Sequence, residues 1–315
     1  MKNFTRLPLL KNFRKSVKRN IYNPYYQNTL QEDEFPPEVW IENTNSCNAR
    51  CKMCPRDTHT RRQGFMQMEL FKKLIKEIAQ YKNTVKRVHL HNYGEPLLDR
   101  DLPQKIEFAK ENDIAHVYFV TNASLLKSGK SEALIKSGLD EFKISFYGTD
   151  QDSYNRTMVD LDFNTTIDNV REFFKIRRQL GSRKPKVIIQ YLPQESNKNK
   201  IDEFKAIFEQ LIDRSLGDRM NIFSLHNFGG GRDYQDLGKE ICTICDYPWR
   251  TMIILWNGEV VPCCLDYNGV QVLGNVKINS IRDIWNGTKY KKLRQDFKKL
   301  DYRLYPVCLK CDKTR

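Results

Sequence analysis

The chain has 315 residues, of which 40% are apolar and 29% charged, and its formal net charge is +14. This balance is that of a globular protein and excludes collagen-like, low-complexity and wholly disordered chains. The longest apolar run, Met252 to Trp256, is five residues, where a membrane span needs about 20. The first 20 residues lack an apolar stretch of signal-peptide length, so a cytoplasmic location is expected.

The charge is uneven. Residues 1–31 hold seven Lys or Arg and no acid. Leu10, Phe13, Val17 and Ile21 fall at spacings of three and four, flanked by Lys11, Arg14, Lys15, Lys18 and Arg19. The pattern predicts a short basic amphipathic helix within an N-terminal extension over residues 1–36. Such a helix docks on its parent domain, stands as a solvated arm, or lies on an anionic membrane surface or partner. Nucleic-acid binding is not expected, because no base-stacking motif or DNA-binding unit is recognisable.

Strands are predicted over 38–43, 85–92, 116–121, 141–147, 186–192 and 220–225. Helices are predicted between them over 68–81, 102–112, 131–137, 163–180 and 201–213. Six β/α units with short connections imply an α/β fold with a parallel sheet, right-handed crossovers and chemistry at the strand C-termini. Six units are too few for a full eight-unit barrel. Residues 229–241 open on three glycines and read as a linker. Residues 242–315 form a Cys-rich end. It contains a hairpin, whose Asn257-Gly258 suits a tight type I′ turn, and one or two basic helices over 280–300, interrupted at Asn286-Gly287.

Alternation along the strands sorts side chains into two sets. Val88 and Leu90 form a helix-facing set, so His89 and His91 point inward, as do Glu42, Thr44, Lys143, Ser145, Tyr147 and Gln190. Inward polar groups imply a polar cavity, because unpaired burial costs several kcal/mol. His89 and His91 are candidates to take a substrate proton or bind an anion; the alternative is that both are satisfied core histidines.

Nine cysteines, an odd number, in a chain with no export signal argue against disulfides and for metal ligation or catalysis. Cys47, Cys51 and Cys54 follow the first strand. Three thiolates on one loop can hold three irons of a [4Fe–4S] cube and leave the fourth open; a zinc site would need a fourth ligand, which His59 could supply. The second group is Cys242, Cys245, Cys263, Cys264, Cys308 and Cys311.

The Cys47-x3-Cys51-x2-Cys54 spacing after the first strand resembles the signature of the radical SAM superfamily. That resemblance implies a partial (β/α)6 TIM-like barrel over 37–228. In the family, Met53 would lie against the SAM adenine. Tyr93-Gly94-Glu95-Pro96 is similar to the Gly-Gly-Glu-Pro segment that binds the SAM amino group, with Tyr93 in place of the first glycine. Thr121, Asn122 and Ser145 stand where relatives contact SAM, Arg156 resembles an arginine that pairs with the SAM carboxylate, and Gln190 completes the expected set. Cys245, twelve residues, Gly258, four residues, Cys263, then Cys308-x2-Cys311, is similar to the opening of a SPASM or twitch extension. It implies a second, auxiliary [4Fe–4S] cluster over 242–315. Cys242 also satisfies the first spacing, and a zinc ribbon is the alternative. Cys242 and Cys264 are otherwise spare, either small buried residues or hydrogen donors to a substrate radical.

The resemblance implies reductive cleavage of SAM to methionine and a 5′-deoxyadenosyl radical, which abstracts hydrogen from substrate. A flavodoxin-like or ferredoxin-like reductant is implied. Too few residues precede the first strand for a peptide-recognition domain, so a small polar substrate is expected, a sugar or cyclitol, with the positive charge suiting a phosphorylated one. Dehydrogenation of a carbinol carbon is favoured over epimerisation and over peptide maturation.

Overall fold

The computed structural model describes residues 16–17, 21, 30–194, 197–232 and 243–314. All but three positions of the basic segment 1–29 lie outside these residues, as does Cys242. Among the described residues no helix is long and apolar enough to cross a membrane.

Six strands build the barrel: β1 (Glu38–Ile41), β2 (Arg87–His89), β3 (Val117–Thr121), β4 (Glu141–Ser145), β5 (Lys186–Tyr191) and β6 (Arg219–Ile222). Each pairs in parallel with the next. The helices are α1 (Met68–Ala79), α2 (Leu102–Glu111), α3 (Ser128–Lys136), α4 (Gln151–Thr157), α5 (Phe163–Gln179) and α6 (Ile201–Glu209). In α1 the buried set is Phe71, Leu74, Ile75 and Ile78, spaced by one helical turn. Burying each contributes about 1.5–3 kcal/mol. Helix α4 starts on a capping box between Asp150 and Ser153, which satisfies two otherwise orphaned N–H groups.

The C-terminal part adds α7 (Tyr247–Arg250), β7 (Thr251–Ile254), β8 (Glu259–Val261), β9 (Gly274–Asn275), α8 (Ile281–Trp285), α9 (Thr288–Lys298) and α10 (Pro306–Leu309). Its hairpin is not a separate sheet. Strand β7 pairs in parallel with β1, opposite β2, so nine strands run in the order β6-β5-β4-β3-β2-β1-β7-β8-β9. The core is likewise continuous from Val39 and Phe142 to Trp285 and Phe297.

Two local expectations are corrected. The hairpin turn is not type I′, which would need positive φ at both central residues. Gly258 N–H donates to Leu255 O at 2.8 Å, Asn257 is absent from the positive-φ positions, and Gly258 has φ +89°. This is a turn at Trp256-Asn257 followed by a left-handed glycine. Within the expected linker, the glycine run at 229–231 is packed against the C-terminal end. Asn227 donates to Lys310 O at 2.5 Å and accepts from Asp312 N at 3.1 Å. A Cβ on Gly229 would meet Val307 at 2.4 Å. The remainder of the expected linker, 233–241, lies outside the described residues.

Candidate active site

The loop after β1 carries Cys47, Cys51 and Cys54 to the C-terminal mouth of the barrel. Its backbone is held from three sides. Arg50 N–H donates to Val159 O at 3.0 Å and Lys52 N–H to Thr157 O at 3.1 Å, at the end of α4. Asn48 binds Ser124 at 2.9 Å and accepts from Asn122 at 3.0 Å, beyond β3. Ser46 O accepts from Glu95 N–H at 2.8 Å, beyond β2.

That last contact is close because residue 94 is glycine. A Cβ there would lie 2.2 Å from Thr44 O and 2.8 Å from Ser46 O. Glu95 is buried. Its carboxylate accepts from Thr121 Oγ1 at 2.6 Å, Asn122 N–H at 2.7 Å and Leu97 N–H at 3.0 Å. Burial pushes its carboxyl above the usual range, against these three donors.

A cavity of about 290 Å³ opens here. Its wall includes the three loop cysteines together with Met53, Tyr93, Gly94, Glu95, Thr121, Asn122 and Ser145. The nine residues that resemblance pointed to for the SAM side divide accordingly, with seven lining this cavity and two not. Gln190 is buried nearby and donates to Tyr147 Oη at 3.2 Å, but is not in the wall. Arg156 is not in the wall either. Helix α4 turns Ser153, Tyr154 and Thr157 inward and Arg156 outward, where it is half-exposed and pairs with Asp152 one turn earlier.

The two histidines have different surroundings. His91 lines the cavity with Trp40, and its Nδ1 has no partner among the described residues. His89 is not in the wall. It stacks on Trp40 at 4.2 Å, and its Nε2 meets Glu38 at 3.0 Å, at the N-terminal end of β1 and away from the cysteine loop. Alternation gave the facing of His89 but not its height in the barrel. Burial lowers both histidines, His89 to about 4 and His91 well below its ordinary value. Sequence reasoning missed Trp40, which has the same strand parity as Glu42, and also His226 and Phe228 beyond β6, which line the cavity. Glu42 is not a cavity group: Arg61 binds it through two bonds of 2.8 and 2.7 Å, and Trp256 N–H donates to it at 3.1 Å.

A second, apolar cavity lies in the C-terminal part. Cys245, Cys263, Cys308 and Cys311 all line it. Among the described residues no three Cys, His, Asp or Glu side chains gather closely enough to hold a single metal ion. Each set of thiols lines a cavity, as suits a multi-iron cluster. Burial raises all seven thiols, though Cys263 is raised first by its bond to Cys264. A cationic iron centre would offset that penalty.

Residues 41–195 match the model of the Radical SAM superfamily, and residues 245–312 match that of an iron-sulfur cluster-binding domain, SPASM. The chain belongs to the radical SAM superfamily. The second match begins at Cys245, leaving Cys242 outside it. As a radical SAM enzyme the chain uses a SAM-binding [4Fe–4S] cluster and an auxiliary cluster, which the two sets of thiols fit. It is 23% identical over 314 residues to a cofactor-modifying protein of tungsten-containing aldehyde ferredoxin oxidoreductase from Pyrococcus furiosus, covering 87% of this chain and 86% of that protein. It is 22% identical over 282 residues to the S-adenosyl-L-methionine-dependent 2-deoxy-scyllo-inosamine dehydrogenase of Niallia circulans, covering 89% and 94%. Its fold is similar to that of BtrN in complex with AdoMet and 2-DOIA, with TM-score 0.63, 20% identity and coverage of 89% and 94%. It is also similar to Streptococcus suis SuiB, with TM-score 0.64, 19% identity and coverage of 94% and 74%.

Proposed function

We propose that this enzyme dehydrogenates a carbinol carbon of a small polyhydroxylated substrate, of the sugar or cyclitol class, to a ketone. The observation that carries this reading is the wall between the two cavities. Cys263 lines the C-terminal cavity, Cys264 lines the barrel cavity, and Leu265 lines both. Two consecutive residues therefore border two different sites, and their thiols are hydrogen-bonded to each other. An electron leaving the barrel cavity has a short path to whatever Cys263 binds.

When bound, the SAM-side cluster with SAM supplies a hydrogen-atom acceptor, ending as methionine and 5′-deoxyadenosine, and the auxiliary cluster supplies an electron acceptor. The chain's own residues do the rest. Cys47, Cys51 and Cys54 would hold the first cluster. Cys245, Cys263, Cys308 and Cys311 would hold the second. Glu95, braced by Thr121 and Asn122, would hold the SAM ammonium, and Met53 with the residues around Gly94 would frame the rest. His91 lines the barrel cavity and burial favours its neutral form, so the imidazole would accept the carbinol proton. The substrate loses a hydrogen atom, a proton and an electron, which together make the ketone. One relative supports this substrate class, in sequence as a 2-deoxy-scyllo-inosamine dehydrogenase and in structure as BtrN with 2-DOIA.

A second reading, epimerisation, has one observation of its own: Cys264 lines the barrel cavity and its thiol could return a hydrogen atom to substrate. The two separate by mutation. Incubated with reductant, SAM and a panel of cyclitols and aminocyclitols, Cys263→Ala should still form 5′-deoxyadenosine but lose the ketone. A wild-type product of substrate mass rather than a ketone, retained in Cys263→Ala and lost in Cys264→Ala, would defeat the dehydrogenase reading.

A further inference from the structure

Cys51 and Cys54 line not one cavity but two. They also line a surface cleft whose lining includes Arg50, Lys52, Arg56 and Arg232. Asp57 is the single carboxylate among its lining residues. The barrel cavity, by contrast, has Glu95 as its charged wall group besides the thiols.

Among the described residues, two carboxylates, Asp57 and Asp160, meet the four cations. Arg232 donates to Cys54 O and pairs with Asp57. Arg56 donates to Asn45 O at 3.2 Å, a neutral carbonyl. Arg50 is 83% exposed and meets Asp160, itself 51% exposed, at 3.4 Å; such a pair is worth at most about 1 kcal/mol and exchanges readily for another carboxylate. Lys52 is exposed and has no ion pair among the described residues.

We propose that this cleft is the docking surface for a small acidic one-electron carrier protein of the flavodoxin or ferredoxin kind. The inference rests on the assignment of the three-cysteine loop and not on the dehydrogenation reading. Three features point the same way. The cleft reaches the thiols from outside, so an electron can enter while the barrel cavity is closed around substrate. Its excess of positive charge complements an acidic partner, and the chain's net charge of +14 adds long-range steering. Its cations sit on the cysteine loop itself and on Arg232, which binds that loop, so docking places the donor directly against the centre it serves. Each visit oxidises the carrier by one electron, which is received at the thiol-bound centre, and no atoms are exchanged.

The test compares two reductants on the reconstituted enzyme. Reduced flavodoxin is the protein probe and dithionite the small one. The double variant Arg50→Glu/Lys52→Glu should weaken flavodoxin binding, followed by titration calorimetry, by about tenfold or more, and slow flavodoxin-driven 5′-deoxyadenosine formation similarly. Dithionite-driven formation should stay at the wild-type rate. Raising salt from about 20 mM to about 0.3 M, which shortens electrostatic reach several-fold, should reproduce the loss in the wild type. A control reversal of equal charge, Arg171→Glu/Lys175→Glu on α5, should have little effect. The proposal is overturned if the cleft variant binds flavodoxin as tightly as the wild type, if dithionite-driven cleavage falls equally, or if the α5 control weakens binding as much.

Discussion

Gly94→Ala is the smallest change with a large expected effect. The new Cβ would lie 2.2 Å from Thr44 O and 2.8 Å from Ser46 O, both backbone atoms, whereas ordinary contact begins at 3.4 Å. The cysteine loop and the Glu95 segment must therefore separate by about 1.2 Å. Overpacking of this kind costs about 1–3 kcal/mol, which should appear as a lower unfolding midpoint. The larger effect is on chemistry. A displacement near 1 Å between positioned groups costs about 100-fold in rate, so dithionite-driven 5′-deoxyadenosine formation should fall by about that factor. All seven ligand thiols are untouched, so iron content should hold. The control is Gly129→Ala in α3, where an added Cβ meets nothing within 4 Å; it should leave the rate unchanged. If Gly94→Ala cleaves SAM within about twofold of the wild-type rate, the close approach of these two segments does not organise the site.

Cys308→Ala should lower iron from about eight to about four per chain, as expected for two cubes, while SAM cleavage persists; iron analysis beside 5′-deoxyadenosine assay checks both. Arg61→Leu leaves the fully buried Glu42 carboxylate without its bidentate partner. It should cost about 3–5 kcal/mol in urea unfolding and loosen the β7 hairpin, because Glu42 also holds Trp256. His89 is depressed by burial to about 4 from about 6.5 in an unfolded chain. The unfolded state therefore binds the extra proton as pH falls below 6.5, and stability drops with acidification by about 1.4 kcal/mol per pH unit. His89→Gln should lose about 1 kcal/mol less than wild type between pH 6.5 and 5.5, and an equal loss would place the titrating group elsewhere.

The parts of this site that alternation and spacing control were readable in the chain. Period-2 and helical patterns gave six β/α units, and the resemblance to a SPASM or twitch extension picked out Cys245, Cys263, Cys308 and Cys311, which line one cavity. What remained hidden depends on height and on partners distant in sequence. Facing placed His89 inward but not at Glu38's end of the barrel. The helical pattern of 151–157 is too short to show that Arg156 faces out. The hairpin signal at 251–261 could not reveal that β7 would extend the barrel sheet beside β1, since that pairing depends on the free edge of a strand two hundred residues earlier. The Arg232 contact to the cysteine loop was invisible for the same reason: 178 residues separate it from Cys54.

The mass of the product formed in D₂O tests the central claim most directly. The reconstituted enzyme is given SAM, a reductant and a cyclitol it turns over, and the product is returned to H₂O before mass spectrometry so that only carbon-bound label remains. Dehydrogenation predicts a ketone two hydrogens lighter than the substrate, with no retained deuterium and one SAM consumed per product. A product of substrate mass plus one carbon-bound deuterium would contradict it and make Cys264 a hydrogen donor.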